Sequence, residues 1–158
     1  MTEELQHALE YATYAHRGQV RKYTGEPYIG HPVAVAALTK VTLEFYGYDK
    51  DIVILAMKCA LLHDVVEDTT VTIEDIQESF GDKVAQGVWF LTDADTFVGN
   101  RATRKALTRA RLACAPTYIK LVKVADIEHN AVSIRKHDPD FYKIFKKEKE
   151  DLLQVLRS

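Results

Sequence analysis

The sequence predicts an all-α fold of about seven to eight or more helices, in one domain spanning residues 1–158. Three observations predict it. Apolar residues recur at three- to four-residue spacing through most of the chain. The segments between them carry helix punctuation, namely Pro32, Gly47, Gly81, Pro116 and Pro139. No stretch shows the sustained alternation of a half-buried strand.

Leu5, Ala8, Leu9, Ala12 and Ala15 give the first helix, from about Thr2 to Arg17. Gly18 to His31, with three glycines, one proline and mixed charge, reads as a long ordered loop. Pro32 suits the first turn of a second helix that runs to about Tyr46 and stops at Gly47. Asp49 or Asp51 caps a third, expected to continue through His63, Asp64 and Val66. Thr69 and Thr70 end it. Thr72 and Asp75 form a capping-box pattern for a short helix ending at Gly81. A helix from about Asp82 to Leu91 carries Trp89, expected in the core. Thr92 to Gly99 reads as loop, followed by a helix over about Asn100 to Cys114. Pro116 opens the next, to about Lys136. Asp138 and Pro139 start the last, with Phe141, Ile144, Phe145, Leu152 and Leu156 expected inward. Its lysines, 143, 146, 147 and 149, alternate with acids and read as a solvated face.

Composition narrows the function classes. Hydrophobic residues make up 47% and charged residues 28%, an ordinary globular balance. Acids (23) and bases (21) nearly cancel, which argues against a protein that coats nucleic acid but allows a small polyanionic ligand. Cys59 and Cys114 are too few for a disulfide framework and are expected as buried thiols in a reducing compartment. No basic and apolar leader is visible, and no apolar run nears the ~18 residues of a membrane span. A cytoplasmic protein with no membrane partner is the expectation.

The sharpest chemical signal is His63-Asp64-Val65-Val66-Glu67-Asp68. On a continuous helix Glu67 stands one turn after His63 and Asp68 one turn after Asp64. Burying several carboxylates together is costly unless a cation neutralises them. The competing reading is a solvated acidic helix end. His31, held at a loop-to-helix junction by Pro32, is a second candidate; otherwise it is a core histidine. Asp126 follows an apolar run and shares a helix face with Asn130 and Ser133. Pairing of Asp126 with a lysine is the alternative there. Two His and two Asp make a mixed N/O set that suits Mn²⁺, Fe²⁺ or Zn²⁺. His7, His16, His129 and His137 are not expected as ligands, with His16 and His129 at the cleft edge.

The residues from Ala8 to Ser133 resemble one family. Ala15 to Lys22 (AHRGQVRK), Thr24 to Pro32 (TGEPYIGHP) and Leu61 to Thr69 (LLHDVVEDT) are similar to the opening of the RelA/SpoT-type hydrolase domain of the HD superfamily. Phe80-Gly81, Leu91-Thr92, Ala125-Asp126 and His129-Asn130 follow in the family's order. The resemblance implies a small alarmone hydrolase, an all-α HD-domain bundle without the synthetase of the longer members. It implies that His31, His63, Asp64 and Asp126 bind Mn²⁺ and that Glu67 and Asp68 position and activate the attacking water. It implies that Arg21 and Lys22 line the nucleotide pocket, with Asn130 and Ser133 opposite. The implied reaction removes the 3′-diphosphate of (p)ppGpp. Such a chain could pair functionally with a separate alarmone synthetase; oligomeric state is left open.

Two departures concern the base pocket. Ile127 stands where the family usually has a basic residue, and Ser133 where threonine is common. They are the positions expected to separate a guanine from an adenine alarmone, NADPH or a nucleotide monophosphate. A non-catalytic nucleotide-binding module is the other class considered. Charge patterning adds one more expectation. Asn100 to Arg111 holds Arg101, Arg104, Lys105, Arg109 and Arg111 and no acid. Arg101, Arg104 and Lys105 are expected to bind substrate phosphates, the alternative being a basic face paired with surface acids.

Overall fold

The computed structural model describes residues 1–94 and 98–157. Among these residues the fold is all-α. The nine helices are α1 (Glu3–Ala15), α2 (Gly30–Phe45), α3 (Lys50–Leu62), α4 (Val65–Asp68), α5 (Ile73–Phe80), α6 (Asp82–Leu91), α7 (Arg101–Ala113), α8 (Thr117–His137) and α9 (Pro139–Leu156). Part of the expected 92–99 loop, residues 95–97, lies outside the described residues.

Side-chain caps set most helix starts. Thr2, Asp49 and Asn100 each accept from a backbone N–H of the first turn, and Thr72 with Asp75 makes the full capping box. Of the two candidate caps for α3, Asp49 is the one used. Such caps are worth roughly 1 kcal/mol each. The second helix starts two residues earlier than Pro32, at Gly30, so that His31 lies inside its first turn.

The third helix departs from expectation. It ends at Leu62 rather than running through Val66, and α4 is a separate single turn. The cause lies at His63. Its Nδ1–H donates to the Ala60 carbonyl at 2.6 Å, and its backbone N–H reaches the same carbonyl at 3.5 Å. That tightens the last turn to an i→i+3 pattern and turns the chain between His63 and Val65.

The centre of the molecule is α3, which packs against α1, α2, α6 and α8. Leu43, Leu62, Ile76, Leu91, Leu112 and Ile119 are fully buried, each contributing roughly 2 kcal/mol of apolar transfer. At Gly87 a Cβ would lie 2.4 Å from Cys59 Sγ, so glycine is what lets α6 approach α3.

Three expected burials and one expected exposure are corrected. Cys114 is exposed, while Cys59 is buried as expected. Trp89 is 43% exposed, and the Arg111 guanidinium lies over its ring, 4.3 Å from the centre. Ile144 is 55% exposed; α9 instead turns Leu152, Phe145 and Leu156 toward the core. Lys149 is drawn from the solvated face by an ion pair to Glu128 at 2.9 Å. No helix among the described residues is long and apolar enough to cross a membrane.

Candidate active site

Four elements meet at one buried point. The first turn of α2 supplies His31, the α3–α4 junction supplies His63 and Asp64, and the middle of α8 supplies Asp126. One donor atom from each lies within 4.8 Å of all the others. Asp64 Oδ2 is 3.0 Å from His63 Nε2 and 3.6 Å from His31 Nε2. Asp126 Oδ1 is 2.9 Å from His31 Nε2 and 3.3 Å from His63 Nε2.

The rings are held in the orientation that cation binding needs. The Ala60 carbonyl can only accept, so His63 Nδ1 carries a proton and Nε2 is the ring atom turned toward the carboxylates. That Nε2 is buried and has no hydrogen-bond partner among the described residues. A ring nitrogen facing two carboxylates calls for positive charge between them, supplied by a proton on Nε2 or by a cation that replaces it. His31 has the matching support. Its Nδ1 is 2.8 Å from His129 Nδ1, which frees Nε2 for the cluster when His129 accepts. Burial, with His31 and Arg21 nearby, lowers the His129 pKa and keeps that ring neutral.

The same field acts on the titrating groups. Burial alone would lower the His63 pKa, but Asp64 and Asp126 raise it well above its usual value. Burial would raise Asp126, yet Lys123, His63 and His31 hold it well below the usual carboxylate range. The donor set, with His63 Nε2 turned into it, and its concentrated negative charge fit a divalent cation held by His31, His63, Asp64 and Asp126.

Beside this point lie Glu67 and Asp68. Burial, then the Asp93 and Asp64 carboxylates, push Glu67 up to about 7. Its Oε1 accepts the Asp93 backbone N–H at 2.8 Å. Burial and Asp64 push Asp68 up to about 6. Both line a cavity of about 260 Å³ with Tyr28, Asp64, Lys105, Arg109 and Asn130.

The other expected substrate residues are placed as follows. Arg21 reaches Asn130 Oδ1 at 3.2 Å, and Asn130 Nδ2 donates to Asp126 Oδ1 at 3.0 Å. Lys22 is exposed on the loop before α2, and Ser133 is half-buried one turn beyond Asn130 on α8; neither lines the cavity. Lys105 lines it and pairs with Asp93 at 3.1 Å. Arg101 instead makes a two-pronged pair with Glu148 of α9, both bonds 2.9 Å, and Arg104 donates to the Gly99 carbonyl at 2.8 Å. The structure thus brings Lys105 and Arg109 to the cleft and engages Arg101 and Arg104 at its flank. His16 is buried with its ring 4.8 Å from Tyr28.

Three participants were not legible as site residues. Tyr28 donates its hydroxyl to Asp64 Oδ2 at 2.6 Å. Lys123 sits between Asp126 (3.1 Å) and Asp93 (3.9 Å). Burial disfavours its charge, but Asp126, Asp93 and Glu67 raise its pKa well above the ordinary lysine range. The lysine pairing weighed for Asp126 therefore exists alongside its histidine contacts. Asp93 itself carried no signal, lying in an irregular segment far in sequence from Asp64, Glu67, Asp68 and Asp126.

Comparison with known proteins is consistent with this geometry. A family model described as HD domain matches residues 8–157. The human guanosine-3′,5′-bis(diphosphate) 3′-pyrophosphohydrolase MESH1 is 36% identical over 138 residues, covering 87% of this chain and 73% of that protein. A probable GTP pyrophosphokinase of Mycobacterium leprae is 38% identical over 138 residues, 86% of this chain and 16% of that protein. The chain spans less than a fifth of the length of such long relatives. A solved structure, described as a metazoan ortholog of SpoT that hydrolyses ppGpp, superposes with a TM-score of 0.81 at 29% identity. That match covers all of this chain and 88% of the other.

Proposed function

The chain belongs to the HD-domain family, and from that footing we propose that it is a Mn²⁺-dependent hydrolase that removes the 3′-diphosphate of ppGpp or pppGpp. The products are GDP or GTP and pyrophosphate. The observation that carries the reading is the placement of an N/O donor set from His31, His63, Asp64 and Asp126 at the floor of a cleft holding both carboxylates and cations.

When bound, a divalent cation supplies Lewis acidity, polarising a phosphoryl oxygen and easing ionisation of water. The chain's own residues do the rest. Glu67, with its pKa near neutrality, accepts a proton from the attacking water; Asp68 is the second candidate for that role. The water oxygen bonds to the phosphorus next to the ribose 3′-oxygen. The bond from that phosphorus to the 3′-oxygen breaks, and the oxygen leaves with a proton as the 3′-hydroxyl. Lys105 and Arg109 offset phosphate charge from the α7 wall. Arg21, tied to Asn130, orders the side of the cleft where the nucleoside fits, with Lys22 and Ser133 beyond it. Arg101 and Arg104 extend the basic face behind Lys105.

A second reading concerns the base alone. Ile127 is buried and forms part of the cavity wall. An apolar residue there favours a substrate not selected by a cation at the base, such as an adenine alarmone or NADPH.

The test is direct. Metal-stripped protein is incubated with and without Mn²⁺ against ppGpp, pppGpp, ppApp, NADPH and nucleotide monophosphates. Pyrophosphate release from ppGpp only with Mn²⁺, abolished in Asp64→Ala, is the expected result. Equal release without added metal overturns the metal mechanism, and preference for ppApp or NADPH moves the assignment to the second reading.

A further inference from the structure

The outer face of α2 is apolar where a surface helix should be charged. Ala34, Leu38, Val41 and Phe45 follow a four-three-four spacing, the seam pattern of a helix that packs against another helix. Leu38 is 42% exposed, Val41 66% and Phe45 82%, while the opposite face, Val35, Ala36, Thr39 and Leu43, is buried in the core. The Phe45 ring stands edge-on to the exposed Tyr46 ring at 5.4 Å, which continues the patch beyond the helix end.

We propose that this face is a homodimer interface in which two copies of α2 pack antiparallel about a two-fold axis beside Val41.

The period names the kind of partner. A 3.5-residue repeat on an otherwise finished helix matches a second helix better than it matches a flat surface or an extended strand. Charge names the partner and its direction. Lys40 and Glu44 lie on the same flank of the seam and pair with each other across one turn. In an antiparallel pair each flank faces its own copy. An axis beside Val41 and Thr42 then sets Lys40 against Glu44 of the second copy, and Leu38 against its Phe45. A parallel pair would set the charged flank against the opposite edge, which presents Thr42 and Tyr46 and no charge. Complementarity of this surface with itself is what a two-fold contact requires. The size is also adequate. The exposed parts of Val33, Leu38, Val41, Phe45 and Tyr46 amount to on the order of 500 Å², well over half of the ~800 Å² per partner in a standard interface. The Lys40–Glu44 flank supplies a polar rim.

Light scattering coupled to size exclusion tests it on the whole 158-residue chain. The expected mass at tens of micromolar is twice the 17.9 kDa of one chain. Val41→Glu with Phe45→Glu is expected to reduce it to one chain mass without changing the circular dichroism spectrum. Lys40→Glu alone weakens the dimer at least tenfold, and adding Glu44→Lys restores it. In a Cys114→Ser background, Val41→Cys is expected to oxidise to a covalent dimer. Val33→Cys is not, because the axis would hold the two copies about 24 Å apart along the helix pair. A single-chain mass for the unmodified protein, a dimer that survives the double substitution, a failure of Val41→Cys to cross-link, or equal cross-linking at both positions overturns the proposal.

Discussion

The hydroxyl of Tyr28 donates to Asp64 Oδ2 at 2.6 Å, tying the loop before α2 to the carboxylate half of the His63-Asp64 pair. The loop can do this because it is braced on itself. Arg21 N–H bonds the Glu26 carbonyl, Tyr28 N–H bonds the Gln19 carbonyl, and Gly25 takes a positive φ of 73° at the turn. Tyr28→Phe therefore leaves the fold intact and frees Asp64 to reorient. We expect Mn²⁺ affinity to fall roughly tenfold or more by calorimetric titration, the usual cost of losing an outer partner of a metal ligand. Unchanged affinity would show the contact to be incidental.

His129 tests the same logic on the nitrogen side. Its Nδ1 faces His31 Nδ1 at 2.8 Å, and only as an acceptor does it leave His31 Nε2 free. His129→Ala should weaken Mn²⁺ binding about tenfold, and His129→Gln, which retains an acceptor, should recover part of it. Equal binding by both variants and the parent would remove the proposed role.

Lys123 carries a structural charge. Its substitution by methionine leaves the Asp93 and Asp126 carboxylates without their shared cation in a largely buried setting. Breaking such a pair from one side costs about 3 kcal/mol or more. Urea unfolding of the metal-free protein should show a clearly lower midpoint for Lys123→Met at unchanged slope. An unaltered midpoint would mean that the cluster relaxes by other means.

The two thiols should behave differently. Burial pushes Cys59 up to about 12 from an ordinary value of 9.0, whereas Cys114 is exposed. A thiol reagent at pH 8 should therefore titrate one cysteine in native protein and two in denaturant. The sign of the pH effect follows from the raised folded value. The unfolded chain loses the Cys59 proton first, so this contribution to stability is complete below pH 9 and declines as pH rises toward 12. Cys59→Ala should flatten that alkaline decline in a series of unfolding curves. The same slope in both proteins would refute the assignment.

The cations of α7 divide into two expected classes. Lys105 lines the cleft, while Arg101 is held by Glu148 at its flank. In steady-state assays with ppGpp, Lys105→Ala should raise KM severalfold. Arg101→Ala should move KM much less, because its guanidinium already has a carboxylate partner. The opposite ranking would place the terminal phosphates beside Arg101.

Much of the molecule was determined by the sequence itself. Helix starts are local: a cap needs only a side-chain oxygen within three residues of an unsatisfied N–H, which is why Thr2, Thr72 and Asn100 stand where expected. The convergence of His31, His63, Asp64 and Asp126 was also legible, because ionisable residues interrupting apolar helices need a shared reason. Tertiary structure alone decided the rest. The break at His63 depends on a buried ring finding the Ala60 carbonyl, which outweighs an uninterrupted helical pattern. Tyr28 and His129 owe their roles to partners 36 and 98 residues away, and Lys123 and Asp93 owe theirs to the field of the assembled cluster. Periodicity reports which face of a helix is apolar, and it carries no information about which distant charge that face will meet.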